Sequence, residues 1–253
     1  MCNRRGFLAG IAATGAMISG ASWANLGNPA FLAAARDARG RFTLCELTAK
    51  AQIAFRVDLP DRGHPAARPT RAEAEAVAFA RSPGTFELVM ECAVERVVQR
   101  MQVPQGWHFY GYGAYLQDGE VLVTTENDHA TGAAALGIWD ARCNYARIVE
   151  IPTCGIGSHE VIRLPGTQTE LVANCRIRIH PDSDRDRDKL NLDNMHPSLV
   201  CIDDGHITQS VTLAPELAQA SIHHISARSD ATVVAALRSE GDPEQVMPLL
   251  KLR

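Results

Sequence analysis

The chain has no block of basic residues, no Cys-x-x-Cys pair and, beyond residue 24, no apolar run near the roughly 20 residues a helix needs to cross a bilayer. Without clustered Lys and Arg nothing neutralises a row of phosphates, so nucleic acid is not expected as a partner. Without Cys-x-x-Cys, thiolate metal sites and haem attachment lose their usual sequence support. No nucleophile elbow, phosphate loop or dinucleotide fingerprint occurs either. Gly155-Ile156-Gly157-Ser158-His159 has the glycines but not the strand-to-helix context of a nucleotide site. Paired Asp/Glu clusters suited to a hydrolytic calcium site are also missing.

The first 24 residues read as an export signal of the twin-arginine type. Asn3-Arg4-Arg5-Gly6-Phe7-Leu8 leads into a small-residue apolar run ending Ser22-Trp23-Ala24. Cleavage would start the mature chain near Asn25, as a β-domain over residues 25–253, and move the formal net charge from −4 to about −6. That route places the protein in the periplasm, with no transmembrane span. Twin-arginine export carries folded proteins, which is compatible with a bound cofactor without requiring one. Six cysteines remain after cleavage. Cys45 and Cys201 lie in apolar strands and read as small core residues, and sequence alone selects no disulfide pairing.

What is present is a repeat. A box carrying a ring side chain recurs at Gly63-His64, Gly111-Tyr112-Gly113, Gly157-Ser158-His159 and His223-His224. From His64 through Tyr112 and His159 to His224 the steps are 48, 47 and 65 residues. Apolar runs closed by an acid follow at Leu44-Cys45-Glu46, Val89-Met90-Glu91, Ile138-Trp139-Asp140 and Cys201-Ile202-Asp203. Prolines close the units at Pro60, Pro104, Pro152 and Pro215. Leaving out the 18 polar residues Arg176 to Asp193 brings the long step back to 47. A unit of about 40 to 50 residues with several short strands is the sign of a β-propeller blade.

The fold class is therefore all-β, a β-propeller of four-stranded antiparallel blades. The clearest blade runs from Gly111 to Ile151, with a tight hairpin at Asp118-Gly119 and an outer strand ended by Pro152. Phe42 to Leu59 reads as two outer strands, three fuller blades span His64 to Pro215, and His223 to Leu252 supplies inner strands. That makes about four blades, expected as an open arc rather than a closed ring of four.

Arg62-Gly63-His64, Phe79-Ala80-Arg81-Ser82-Pro83-Gly84-Thr85-Phe86, His108-Phe109-Tyr110-Gly111, Thr124-Thr125-Glu126-Asn127-Asp128, Gly155-Ile156-Gly157-Ser158-His159-Glu160 and Lys189-Leu190-Asn191-Leu192-Asp193-Asn194-Met195-His196-Pro197-Ser198-Leu199 resemble the bacterial domain-of-unknown-function 1513 family, in order from about Asn28 to the C-terminus. The resemblance implies an exported seven-bladed propeller, often encoded beside periplasmic iron-uptake components such as imelysin-like proteins, which become the expected partners. It implies no known reaction. Against that pattern the chain looks C-terminally shortened, Tyr112 stands where a second histidine is expected, and the prolines of Pro65 to Thr70 weaken an inner strand.

Inner strands of a propeller begin at the central channel, so His64, Tyr112, His159 and His224 are expected to converge on the axis. Imidazoles brought together suit a transition-metal ion, which makes His64, His159 and His224 the candidate metal ligands. Arg62, Tyr112 and Glu160 beside them are candidate ligand-binding residues. Histidines that merely cap strand starts would give the same pattern. Asn127 and Asp128 are further candidates, although a connecting turn uses the same residue types. Lys189, Asn191 and Asp193 are placed over the channel mouth. The acids from Asp182 to Asp188 imitate a calcium loop, but Arg187 occupies the position that needs glycine, so a solvated insertion is expected there. These residues are read as a binding protein of periplasmic iron handling. The alternatives are a metal-dependent propeller enzyme of lactonase, esterase or redox type, and a propeller that binds only a protein partner.

Overall fold

A computed structural model describes residues 31–67, 74–81, 85–175, 177–178, 191–242, 244 and 248–252. The proposed signal segment and Lys189 lie outside the described residues. Among the described residues eighteen antiparallel strands form five sheets, each built from strands consecutive in sequence. The first sheet holds β1 (Phe31–Arg36), β2 (Phe42–Leu47) and β3 (Ile53–Leu59). The second holds β4 (Gly63–Ala67), β5 (Glu75–Ala80), β6 (Phe86–Glu91) and β7 (Arg96–Gln102). In the third are β8 (Trp107–Leu116), β9 (Val121–Asp128), β10 (Ala133–Asp140) and β11 (Ala146–Ile156). The fourth has β12 (Ser158–Arg163), β13 (Glu170–Asn174), β14 (Ser198–Asp203) and β15 (His206–Thr212). The last has β16 (Ala220–Ala227), β17 (Val233–Ser239) and β18 (Leu249–Leu252).

These are propeller blades, and the burial along each strand follows its place in the blade. Central strands such as β9 and β10 are covered on both faces and are buried almost end to end. β10 is accordingly apolar without strict alternation, whereas β9 also buries Thr124, Thr125, Glu126 and Asn127. The outer strand β3 alternates instead, with Phe55, Val57 and Leu59 inward and Ala54, Arg56 and Asp58 outward.

Blade stacks on blade through four apolar clusters. Leu44, Phe55 and Val57 meet Ala76, Leu88 and Met90 between the first and second sheets. Phe79, Val89 and Met101 meet Phe109, Leu122 and Trp139 between the second and third. Val123, Leu136 and Ile138 meet Val161, Val172 and Ile202, and then Leu171 and Leu199 meet Ile222, Val233 and Ala235. Among the described residues no such cluster joins the fifth sheet to the first.

Several sequence expectations change in detail. The first sheet has a third strand, β1, whose Phe-Leu-Ala-Ala-Ala-Arg carries little β-propensity and so gave no signal. In place of about four blades there are five described sheets, the two end ones three-stranded and separate, as the open reading expected. Gly63–Ala67 does form a strand despite Pro65: β4 is a sheet edge, where an absent N–H breaks no ladder on its free side. For the same reason Pro152 does not end β11, which is the opposite edge of its sheet and runs on to Ile156. The Asp118-Gly119 hairpin is a 3-10 turn over Gln117–Gly119, with positive φ at Gln117 (47°) and Gly119 (95°). No disulfide joins the described cysteines; Cys45 is buried and Cys201 partly so.

Candidate functional site

The ring-bearing boxes lie on the first strands of the second to fifth sheets, β4, β8, β12 and β16, and there the sequence repeat acquires a structure. In three of these strands the pairing register breaks at the ring-bearing residues: between Phe109 and Gly113 in β8, between Ser158 and Glu160 in β12, and between Ile222 and His224 in β16. A bulge leaves the extra residue out of the ladder and re-aims its side chain. The residues left out are Tyr110 to Tyr112, His159 and His223. Glycine permits the geometry at two of these places. Gly111 has φ +105° with the His64 ring close by, and Gly157 has φ +61° with Cys175 Sγ and the Ile177 carbonyl 2.9 Å from where a Cβ would stand.

The rings meet. His64 stacks on Tyr112 with centroids 4.7 Å apart, and Tyr112 lies 4.9 Å from His159. His159 is 4.4 Å from His223 and 5.6 Å from His224, and Tyr112 contacts His224 at 5.9 Å. Four consecutive sheets thus contribute to one cluster, which holds every ring of the repeat. The bulges also show that His223, not His224, occupies the place equivalent to His159. His224 sits one step on, level with Glu160, and its side chain is 59% exposed.

Burial sets the protonation states. The His159 imidazole is pushed down to about 3, first by burial and then by His223 and His224, so it is neutral at physiological pH. Its Nδ1 is buried without a hydrogen-bond partner. The Tyr112 phenol is pushed up to about 12 by burial and by the Glu160 charge, against the opposing pull of Arg81 and Arg62. Glu160 is raised by burial, yet its carboxylate is committed: Oε2 accepts the Ile225 N–H at 2.6 Å and lies 3.6 Å from His224 Nδ1. Glu160 therefore partners His224 rather than His159. His223 Nε2 is 3.3 Å from Glu240 Oε1.

The neutral His159 imidazole is the right kind of donor for a transition-metal ion, but the rings meet face to face at His64 and Tyr112 and in tilted or edge-on contacts elsewhere. Among the described residues no three His, Cys, Asp or Glu side chains are placed to hold one ion. As built, the cluster does not fit a directly ligated metal.

The remaining candidates separate. Arg62 is exposed at the start of the second blade, near enough to Tyr112 for its charge to be felt. Asp128 Oδ1 accepts the N–H groups of Ala130 and Thr131, the turn role anticipated as its alternative. Asn127 reaches into the next blade, where its Oδ1 accepts the Gly157 N–H at 3.0 Å. Asn191 Oδ1 accepts the Arg178 N–H at 2.8 Å, fastening that loop, and Asp193 is exposed on the following turn. Sequence reading missed His108, Tyr110, His129, Arg81 and the priority of His223. The spacing of His108, Tyr110 and Tyr112 by two along an inner strand was the available signal for the first two.

The family model for the protein of unknown function DUF1513 matches residues 57–253. The chain belongs to this family. A comparison with curated proteins finds no sequence match. Among solved structures, the DUF1513 chain is similar to hydrazine synthase of Kuenenia stuttgartiensis, with a TM-score of 0.57 and 14% identity over 82% of this chain and 52% of that one. It spans about half the length of that relative. A protein of unknown function from Bacteroides caccae is similar at a TM-score of 0.51 and 9% identity, over 88% of this chain and 73% of that one. At these identities the likeness concerns the fold alone. No helix among the described residues is long and apolar enough to cross a membrane.

Proposed function

We propose that the protein is an exported periplasmic binding protein of iron handling, whose ligand rests where the first strands of the blades meet. The observation that carries this reading is the convergence of His64, Tyr112, His159, His223 and His224 from four consecutive sheets. Bulges in three of the strands and positive-φ glycines at two of the boxes maintain it, and an arrangement needed only for packing would not call for re-aimed rings. Rings that contact one another by face and edge rather than converging on one point favour an organic ligand over a bare ion. Arg62 and Arg81 beside Tyr112 favour negative charge on it. Iron would then arrive as an anionic aromatic chelate, and no reaction is assigned. The twin-arginine signal in residues 1–24 and the family resemblance support the compartment.

Titration of the mature protein with ferric catecholate and with bare iron(II), copper(II) and zinc(II) tests the proposal. Saturable one-site binding of the chelate, lost in a His159→Ala/His224→Ala variant that still folds, is the expected result. One-site binding of a bare ion that is lost in the same variant would instead make the cluster a metal centre. In cells, Arg4→Lys/Arg5→Lys should leave the precursor uncleaved, and periplasmic protein with an intact N-terminus would refute the signal.

A further inference from the structure

Beside the ring cluster, behind Tyr110, lies a cavity of about 20 Å³ lined by His108, Asn127, His129, Gly157 and Arg178. Polar voids that exceed about 10 to 15 Å³ hold a water or an ion, whereas only apolar ones stay empty. This one is polar in a specific way. Asn127 is 2% exposed and His108 7% exposed. Asn127 Nδ2, His108 Nδ1 and His129 Nδ1 are all buried without a hydrogen-bond partner. Because Asn127 Oδ1 is already taken by the Gly157 N–H, the amide turns its NH₂ group to the unfilled side. Three unmatched nitrogens around one void require explanation, since buried polar groups are ordinarily paired.

The geometry points to a second site, for a small anion, held by the Asn127 amide, the His108 and His129 imidazoles and the Arg178 guanidinium. Every unmatched atom of the lining residues is nitrogen: the Asn127 NH₂ donates, and each imidazole Nδ1 donates in the tautomer that carries its proton there. Arg178 adds the positive charge, its guanidinium steadied by the Ala130 carbonyl and its backbone N–H by Asn191. The Asp128 carboxylate on the same rim would oppose an anion. It is engaged by the N–H groups of Ala130 and Thr131 in its own turn. No three side chains there can chelate a cation. The available space suits a halide-sized ion, and its place between the end of β9, the Gly157 box and the loop at Arg178 would let it tie the third blade to the fourth. The site does not depend on the ring-cluster reading.

Bromide is the probe. In gluconate buffer at constant ionic strength, millimolar bromide should raise the unfolding temperature of the mature protein saturably. Crystals grown in bromide should show anomalous density between Asn127 Nδ2 and His108 Nδ1. Asn127→Asp preserves the acceptor for Gly157 but turns a carboxylate toward the cavity, so the bromide shift should vanish. If that variant does not fold, the wild-type anomalous map decides alone. A water in the cavity without anomalous signal, or a shift unchanged in Asn127→Asp, overturns the site.

Discussion

At the scale of single residues, the protein buries more ionisable groups than its pairs can satisfy. Glu126, fully buried, is matched: Arg147 donates to both of its oxygens at 2.7 and 2.8 Å. Glu46 and Glu170 are not. Each has a buried Oε2 without a partner, and burial pushes both carboxyls up to about 7. Their unfolded pKa is near 4.5, so the folded state holds the proton to higher pH. They cost nothing below that value, and stability falls as pH rises from about 4.5 to about 7. His108 and His159 act in the opposite sense. Their folded values of about 4 and 3 lie below the ordinary 6.5, so stability present above 6.5 is lost as pH falls toward those values. A Glu46→Gln/Glu170→Gln variant should therefore unfold at a higher temperature than the parent at pH 8 and at the same temperature at pH 4. An equal gain at both pH values would show that ionisation of these groups is not the cause.

At the scale of elements, the first strands of the third, fourth and fifth sheets combine ordinary pairing with a bulge that exports a ring, while His64 is carried by β4 in unbroken register. Replacing Gly157 by Ala would force a Cβ to 2.9 Å from Cys175 Sγ and from the Ile177 carbonyl, at a φ of +61°. The expected cost is about 1 to 3 kcal/mol, measured by urea unfolding; a change within a few tenths would mean that the box relaxes freely. The recurrence of these boxes was legible in the sequence because a ring returns at nearly the same period, beside glycine in three of the four boxes. The bulge itself was not legible, since one unpaired residue leaves no trace in hydrophobic alternation, and so His224 stood for His223. Edge position was hidden in the same way. Pro65 and Pro152 look disruptive in a string of letters and are harmless where the ladder has a free side. His108 and His129 escaped notice because nothing local announces that a strand start and a distant turn share a cavity.

At the scale of the whole molecule, the first and last described sheets carry exposed apolar side chains, Phe31 at 61% and Ile53 at 52% on one and Leu249 at 71% on the other. Unpaired edges and apolar side chains of this kind promote association. Residues 25–253 should sediment as concentration-dependent oligomers, reduced by Phe31→Lys/Leu249→Lys; a monomer at every concentration would mean that the ends are covered. The same packing carries rings from four consecutive sheets to one place, and that convergence underlies the proposed function. It is tested most directly by ¹⁵N NMR titration of the histidine side chains in the mature protein. The account predicts that His159 stays a neutral imidazole at pH 5, with its transition near 3. A His159 that titrates at the ordinary value of about 6.5 would place it in water, and the cluster would not exist.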